Sequence, residues 1–451
     1  MIIALQYILT LLFGYKIIKT TGWQRLVWYL AGVTLVSTAF SFYSGTILTR
    51  GHLTFVLIFL ASLYFEGKLK MRYLKQCPLF TPLLLVFISY ICIGIFDERL
   101  NPIMGIYRGT YNYMITYGAF FFGWFSIYDK LDTQGFAKKL IQIGLIFTLY
   151  GLFSFITKTN PIVDALGYAD RFVFENAGAS FRSFLVSGFL LESGVYGLSC
   201  FIFFMLLWAF KSRNKRLQYT AMALLFINLF LTGTRSIMIP AIIGMLIYVL
   251  FALNTKNKIQ YASLGIAISL VVFVCFPNSI GTYISEIINA ILDTVMPGGS
   301  GGADLGGSSV EARDMQITAA FTKYLPEKPF FGHGFSYYKE VILVYNGGVN
   351  DAELLGMESY LCFLGVEYGL INIVTVIIFF IWAIIYFIRS RTVDKKIGTL
   401  ALAMTIAFIV YLATAFMGDC WLYAMPVLGF LAGIIETQKR HKQITSTTKT
   451  A

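Results

Sequence analysis

Apolar runs follow one another along nearly the whole chain, near residues 2–19, 26–46, 52–66, 79–96, 110–128, 138–157, 188–210, 217–233, 236–253, 259–276, 357–388, 397–416 and 420–436. A helix needs about 20 mostly apolar residues to cross a bilayer, and most of these runs meet or approach that length. Strict alternation of apolar and polar positions is absent, which excludes a membrane barrel and leaves helices. The pattern therefore predicts an all-α, polytopic membrane helical bundle of about 12–13 spans.

The pattern breaks once, over the 80 residues from Pro277 to Gly356. This divides the chain into an N-terminal transmembrane bundle (1–276), a large extracytoplasmic loop (277–356), C-terminal transmembrane helices (357–437) and a basic tail (438–451). The loop opens on PGGSGGADLGGSS (297–309), a glycine-rich gate or linker. It lacks the Lys-Ser/Thr of a phosphate-binding P-loop. Ser308 and Glu311 form a capping-box signature, and Ile317, Ala320, Phe321, Tyr324 and Leu325 recur at helical spacing. They predict an amphipathic helix that stops at Pro326, with Arg313 in its first turns.

Composition agrees, with 57% hydrophobic and 13% charged residues in 451. The net charge of +12 is explained by basic residues on alternate short loops, such as Lys68–Lys75, Lys211–Arg216 and Arg389–Lys396. Such loops face the cytoplasm, so nucleic-acid binding is not needed to account for the charge. The same rule puts the N-terminus and the long loop outside and the C-terminus inside a bacterial plasma membrane, with no cleavable signal pattern at the start. The cysteines show no CxxC and no Cys/His metal spacing and read as small core residues. Asp351 and Glu353 form a lone DxE, weak support for a metal.

Three outward regions carry candidate chemistry. Arg182 stands at the mouth of the run 188–210, where it either snorkels to headgroups or binds an anion, and Glu192 follows inside that run, where a carboxylate needs a partner or water. Arg182 and Arg235 are both candidate partners. Arg235, in LTGTRSI, is the only formal charge between Arg216 and Lys256. Small neighbours and free backbone donors suit it to a two-pronged grip on phosphate. In PEKPFFGHGFSYY (326–338), Gly332 and Gly334 flank His333 in a turn expected to expose the imidazole, a candidate proton acceptor. Glu358 is expected at the outer mouth of the next span, with Glu367 deeper. Aromatic residues such as Phe330, Phe331, Tyr337 and Tyr338 either stack on sugars or form an interfacial belt.

The order of LTGTRSIMI, a long outward loop bearing an arginine on a helix, PFFGHGFSYY and ESYLCFLGVEYGLINIV resembles the O-antigen polymerase and O-antigen ligase family of bacterial envelope polysaccharide assembly, over roughly residues 180–380. That resemblance implies a GT-C-like glycosyltransferase, inverting and without a metal or other cofactor. It would transfer a glycan from undecaprenyl diphosphate to an acceptor glycan on the outer face. By resemblance Arg182, Arg235 and Arg313 hold the diphosphate, Glu358 or His333 is the base, and Glu192 and Tyr360 support them. Ligases of the family carry a His at the head of the span after the loop, where this chain has Glu358, which favours a polymerase. Expected partners are the undecaprenyl-diphosphate-linked oligosaccharide, the acceptor glycan and membrane lipids, with a chain-length regulator and a flippase as further candidates. The alternatives are a ligase to a lipid A core or protein, a transporter or lipid-linked glycan flippase using Glu192 and Glu367, and a structural scaffold. Against transport stand the absence of an internal repeat and of paired Gly/Pro-broken spans.

Overall fold

A computed structural model describes residues 2–37, 41–44, 47–127, 131–166, 185–255, 309–342, 354, 357, 359–415 and 420–450. The fold is an all-α membrane bundle with one short antiparallel hairpin, as the apolar pattern predicts.

In chain order the first elements are α1 (Ile2–Lys19), α2 (Gly22–Leu35), the hairpin β1 (Ser41–Ser44) and β2 (Ile47–Arg50), α3 (Gly51–Phe65), α4 (Met71–Leu74), α5 (Phe80–Ile95), α6 (Pro102–Ile115), α7 (Phe120–Trp124), α8 (Thr133–Thr157), α9 (Pro161–Asp164), α10 (Ser193–Ala209), α11 (Lys215–Leu231) and α12 (Arg235–Ala252). From residue 309 onward come α13 (Ser309–Ala319), a π-helical turn (Ala320–Tyr324), α14 (Leu325–Glu327), a second π-turn (Tyr338–Ile342), α15 (Tyr360–Phe363), a third π-turn (Leu364–Tyr368), α16 (Gly369–Ser390), α17 (Lys395–Thr414) and α18 (Trp421–Thr450).

Among the described residues four helices are long and apolar enough to span by themselves, at Ile2–Lys19, Thr133–Thr157, Tyr360–Ser390 and Lys395–Thr414, and four shorter apolar helices join them. The run 26–46 is a difference from expectation. Its helix ends at Leu35, where Val36 turns extended, and the run continues into the hairpin. The run 110–128 is likewise broken, shared among α6, a 3-10 turn and α7. The run 259–276 lies outside the described residues.

Polar caps start many of the helices. Asp132 accepts from the backbone N–H of Gln134 and Gly135, and Asp394 from Lys396 and Ile397. Asn101 accepts from Met104 with Pro102 at the first helical position, where a missing N–H costs nothing. Apolar attraction cannot hold helices together in lipid, so close backbone approach does much of that work. Gly94 faces Gly105 between α5 and α6, and Gly123 and Gly429 face the backbones of α18 and α7, so a Cβ at any of them would fall on a carbonyl. Buried polar pairs add direction: Asn372 donates to Ser89 at 2.8 Å, tying α16 to α5, and the Tyr196 hydroxyl to Asn228 at 2.8 Å, tying α10 to α11.

The core centres on α17, which packs against α12, α16 and α18. Its spanning window is 72% buried against 28% for α1, which marks α17 as central and α1 as peripheral. The predicted amphipathic helix forms, with Ala319, Ala320 and Tyr324 buried. It runs through Pro326 to Glu327, one residue past the expected stop, because Pro326 sits in the first turn of α14 and needs no donor there.

Candidate functional site

The starts of α10 and α12, the residue before α15 and the end of α17 meet through hydroxyl hydrogen bonds. Ser193 and Thr234 share one at 2.9 Å between the starts of α10 and α12. Thr414, at the end of α17, donates to the carbonyl of Ser236 at 3.1 Å, and Ser359 donates to the carbonyl of Ala413 at 2.8 Å. These contacts place the backbones of Glu192, Arg235 and Tyr360 around one helix end, since each directly follows or precedes an anchored residue. The helix bearing Arg313 joins them, because Ala320 packs against Gly365 in the turn behind Tyr360.

Arg182 and Glu358 lie outside the described residues, as do the side chains of Arg235 and Arg313. Arg235 is the first residue of α12, reached through Gly233 at φ +62°, a left-handed conformation that suits glycine. Glu192 is not several residues inside a span, as its run suggested. Residues 185–192 are non-helical and Glu192 is the N-cap of α10, where the helix dipole favours a carboxylate. Tyr360 is buried, its hydroxyl 3.2 Å from that of Tyr117 and its ring edge-on to Trp421.

His333 corrects an expectation. The imidazole is buried, stacked on Tyr337 at 4.4 Å, with Nε2 3.2 Å from the carbonyl of Tyr324 and 3.5 Å from Glu327. A carbonyl only accepts, so the neutral ring carries its hydrogen on Nε2 and leaves Nδ1 as the acceptor. Burial holds its pKa below the ordinary histidine value. Lys328 and Arg99 push the same way, and the Tyr324 carbonyl and Glu327 oppose them.

The burial follows from how the loop docks. The third π-turn ends in a break at Gly369, φ +72°, which orphans backbone groups on both sides. Segment 329–338 pairs them: Leu370 N–H donates to Pro329 O at 2.7 Å and Ile371 N–H to Phe330 O at 3.2 Å, while His333 and Gly334 donate to Val366 O and Glu367 O, both at 3.1 Å. Gly332 and Gly334, at φ +65° and +93°, let the chain fold back this closely. The buried carboxylate of Glu367 then accepts from the backbone of Ser336 and Tyr338 at 3.0 and 3.1 Å. It acts as a pin for this clasp.

A group of charges missed by the sequence reading surrounds the clasp. Asp97 and Arg99, between α5 and α6, form a two-pronged pair, and Arg99 also donates to Phe335 O at 2.9 Å and lies over the Tyr337 ring. Arg99 and Arg108 both pair with Glu340, Lys328 pairs with Glu98 at 2.7 Å, and Phe96 stacks on Phe331 at 4.2 Å. The available signal was the dense charge of Asp97-Glu98-Arg99 between two apolar runs.

Residues 220–377 match the family model described as O-antigen ligase. The matched stretch includes Arg235, Arg313, His333, Glu358 and Tyr360, and begins after Arg99, Arg108, Arg182 and Glu192. No curated protein matches the chain. Over residues 220–377 this membrane chain is thus similar to the O-antigen polymerase and ligase family, which supports an enzyme role of that glycosyltransferase-like kind.

Proposed function

We propose that the protein is an envelope polysaccharide polymerase at the bacterial plasma membrane. It joins a glycan carried on undecaprenyl diphosphate to the end sugar of another lipid-linked repeat unit. The observation that supports this most is the gathering of the starts of α10, α12 and α15 around the end of α17, which brings the backbones of Glu192, Arg235 and Tyr360 together within or beside the family match.

The acceptor hydroxyl attacks the anomeric carbon, the bond from that carbon to the diphosphate oxygen breaks with inversion, and the hydroxyl proton passes to His333 or Glu358. Charge grows on the departing diphosphate. Arg182, Arg235 and Arg313 are assigned to neutralise it, as fixed guanidinium groups do without a divalent cation. The chain-length regulator and flippase act before or beside this step.

Ligation of finished glycan to a lipid or protein acceptor is the second reading, favoured by the family description itself. The Glu358 position, where ligases carry His, favours polymerisation. Surface glycan from cells with and without the gene separates the two. Loss of a polymerase leaves single repeat units displayed, whereas loss of a ligase leaves long glycan on its lipid carrier. Arg235→Ala is expected to abolish chain extension, a drop of at least about 100-fold for a lost transition-state contact, with membrane insertion intact and wild-type activity retained in chelator. Normal long-chain glycan from that variant would defeat the proposal, and strict need for added Mg²⁺ would defeat its metal-free mechanism.

A further inference from the structure

Among the charges around the clasp, Arg99 ties it to the α5–α6 loop through Phe335 O, whereas the pairs with Glu340 stand at its exposed edge. The clasp is closed by four backbone hydrogen bonds, the Glu367 pin and the Phe96–Phe331 stack. Glu340 is different. Its side chain is 48% exposed and stands on a π-helical turn, yet it takes Arg108 of α6 and Arg99 of the α5–α6 loop at once. Both guanidinium groups remain about a quarter open to the surface, at 22% and 25%. Arg108 meets Glu340 through two nitrogens on two oxygens, the fork geometry that matches a carboxylate or phosphate.

An ion pair this exposed adds little to stability, so its loss costs the fold little. A ligand oxyanion placed in the fork recovers the same contacts. The Tyr337 ring beside Arg99 is already taken up by His333 and Arg99, while Phe330, on the same segment, is exposed and free to meet a sugar face. Lys328 and Lys339 add positive charge on the same segment, against Glu98 and Glu327.

We infer that Arg108 and Arg99 form an oxyanion site for an acidic group on the glycan substrate, a sugar carboxylate or a phosphate, and that Glu340 is its built-in placeholder. The site rests on the transferase reading for its substrate, but its chemistry can be tested without transfer. Nearness to His333 places the acidic sugar on the side where the acceptor hydroxyl would lose its proton.

The test follows thermal unfolding of the purified full-length protein in detergent by tryptophan fluorescence, titrated with methyl glucuronide, inorganic phosphate and uncharged methyl glucoside at constant ionic strength. Stabilisation by the glucuronide, by phosphate or by both is expected, with none from the glucoside. A response to glucuronide assigns a sugar acid as the source, and a response to phosphate alone assigns a phosphoryl group. Glu340→Gln, which frees the fork and keeps the shape, should lower the half-saturating concentration about threefold, the scale of an exposed ion pair. Arg108→Ala should abolish the response, and Arg108→Lys should weaken it because an ammonium lacks the fork. Absence of any anion response in both wild type and Glu340→Gln overturns the site, as does equal binding by Arg108→Ala. Anion binding by a protein with no glycan transfer would sink the polymerase reading and leave this site standing, and transfer without anion binding would do the reverse.

Discussion

The pair α17–α18 and the clasp around Gly369 are built on opposite principles. In α17 and in α18 as far as Ile435 most side chains are buried and apolar, with Leu400, Phe408, Trp421, Leu428 and Phe430 among them, and Gly429 lies close against the backbone of α7. In the clasp the contacts are backbone hydrogen bonds, one buried carboxylate and a fringe of ion pairs. The first region resists change because its volume is filled. The second should yield more easily, because its contacts are mostly single hydrogen bonds worth roughly 1 kcal/mol net each, a little more at the Glu367 carboxylate. The largest expected effect therefore comes from the packed region. Gly429→Val would drive a branched side chain into the Phe120 carbonyl and should cost more than about 4 kcal/mol. Membrane-inserted yield and thermal unfolding would report it, and a wild-type unfolding curve would show that this contact is not a packing constraint.

The clasp should respond differently. Gly332→Ala puts a Cβ at φ +65° against the carbonyl of Glu367, a local cost of about 2 kcal/mol. That is roughly a 30-fold smaller ratio of closed to open clasp. Amide hydrogen exchange over residues 328–342 should speed up while exchange in α17 stays unchanged, and glycan extension should fall with the closed population. If exchange rose equally in α17, the two regions would be one cooperative unit and the contrast between them would fail.

The contrast also explains what was legible in the sequence. The α17 and α18 spans are read directly from their apolar runs, because lipid and core select for the same side chains. The α13 helix was readable from its capping signature and spacing. The clasp was not, because its partners are far apart in the chain: Arg99 meets Phe335 and Glu340 more than 200 residues away, and Ser89 meets Asn372. His333 was found by its flanking glycines, but the same glycines that suggested an exposed turn are what allow it to fold inward. Glu192 was misplaced because Leu190 and Leu191 extend the apolar run without extending the helix. Arg182 and Glu358 lie outside the described residues, so the convergence of the candidate arginines rests on the backbones of Arg235 and α13.

The smallest expected effect concerns protons. Burial places the folded pKa of His333 below the unfolded value of about 6.5, so the unfolded state binds its proton more readily. The imidazole's contribution to clasp stability is then complete above about pH 6.5 and is lost as pH falls from there through the lower folded value. If His333 is the base, transfer should decline along an acid limb in that same window, and His333→Gln should lower the rate and erase the limb. If Glu358 is the base, the limb belongs to a carboxylate, near pH 4.3 when unperturbed, and His333→Gln would leave its position unchanged while loosening the stack on Tyr337. A pH–rate profile of wild type and His333→Gln on one lipid-linked substrate separates the two. The outcome also locates the chemistry, since a histidine limb puts the reacting hydroxyl at the clasp and a carboxylate limb puts it at the start of α15, beside Ser359 and the end of α17.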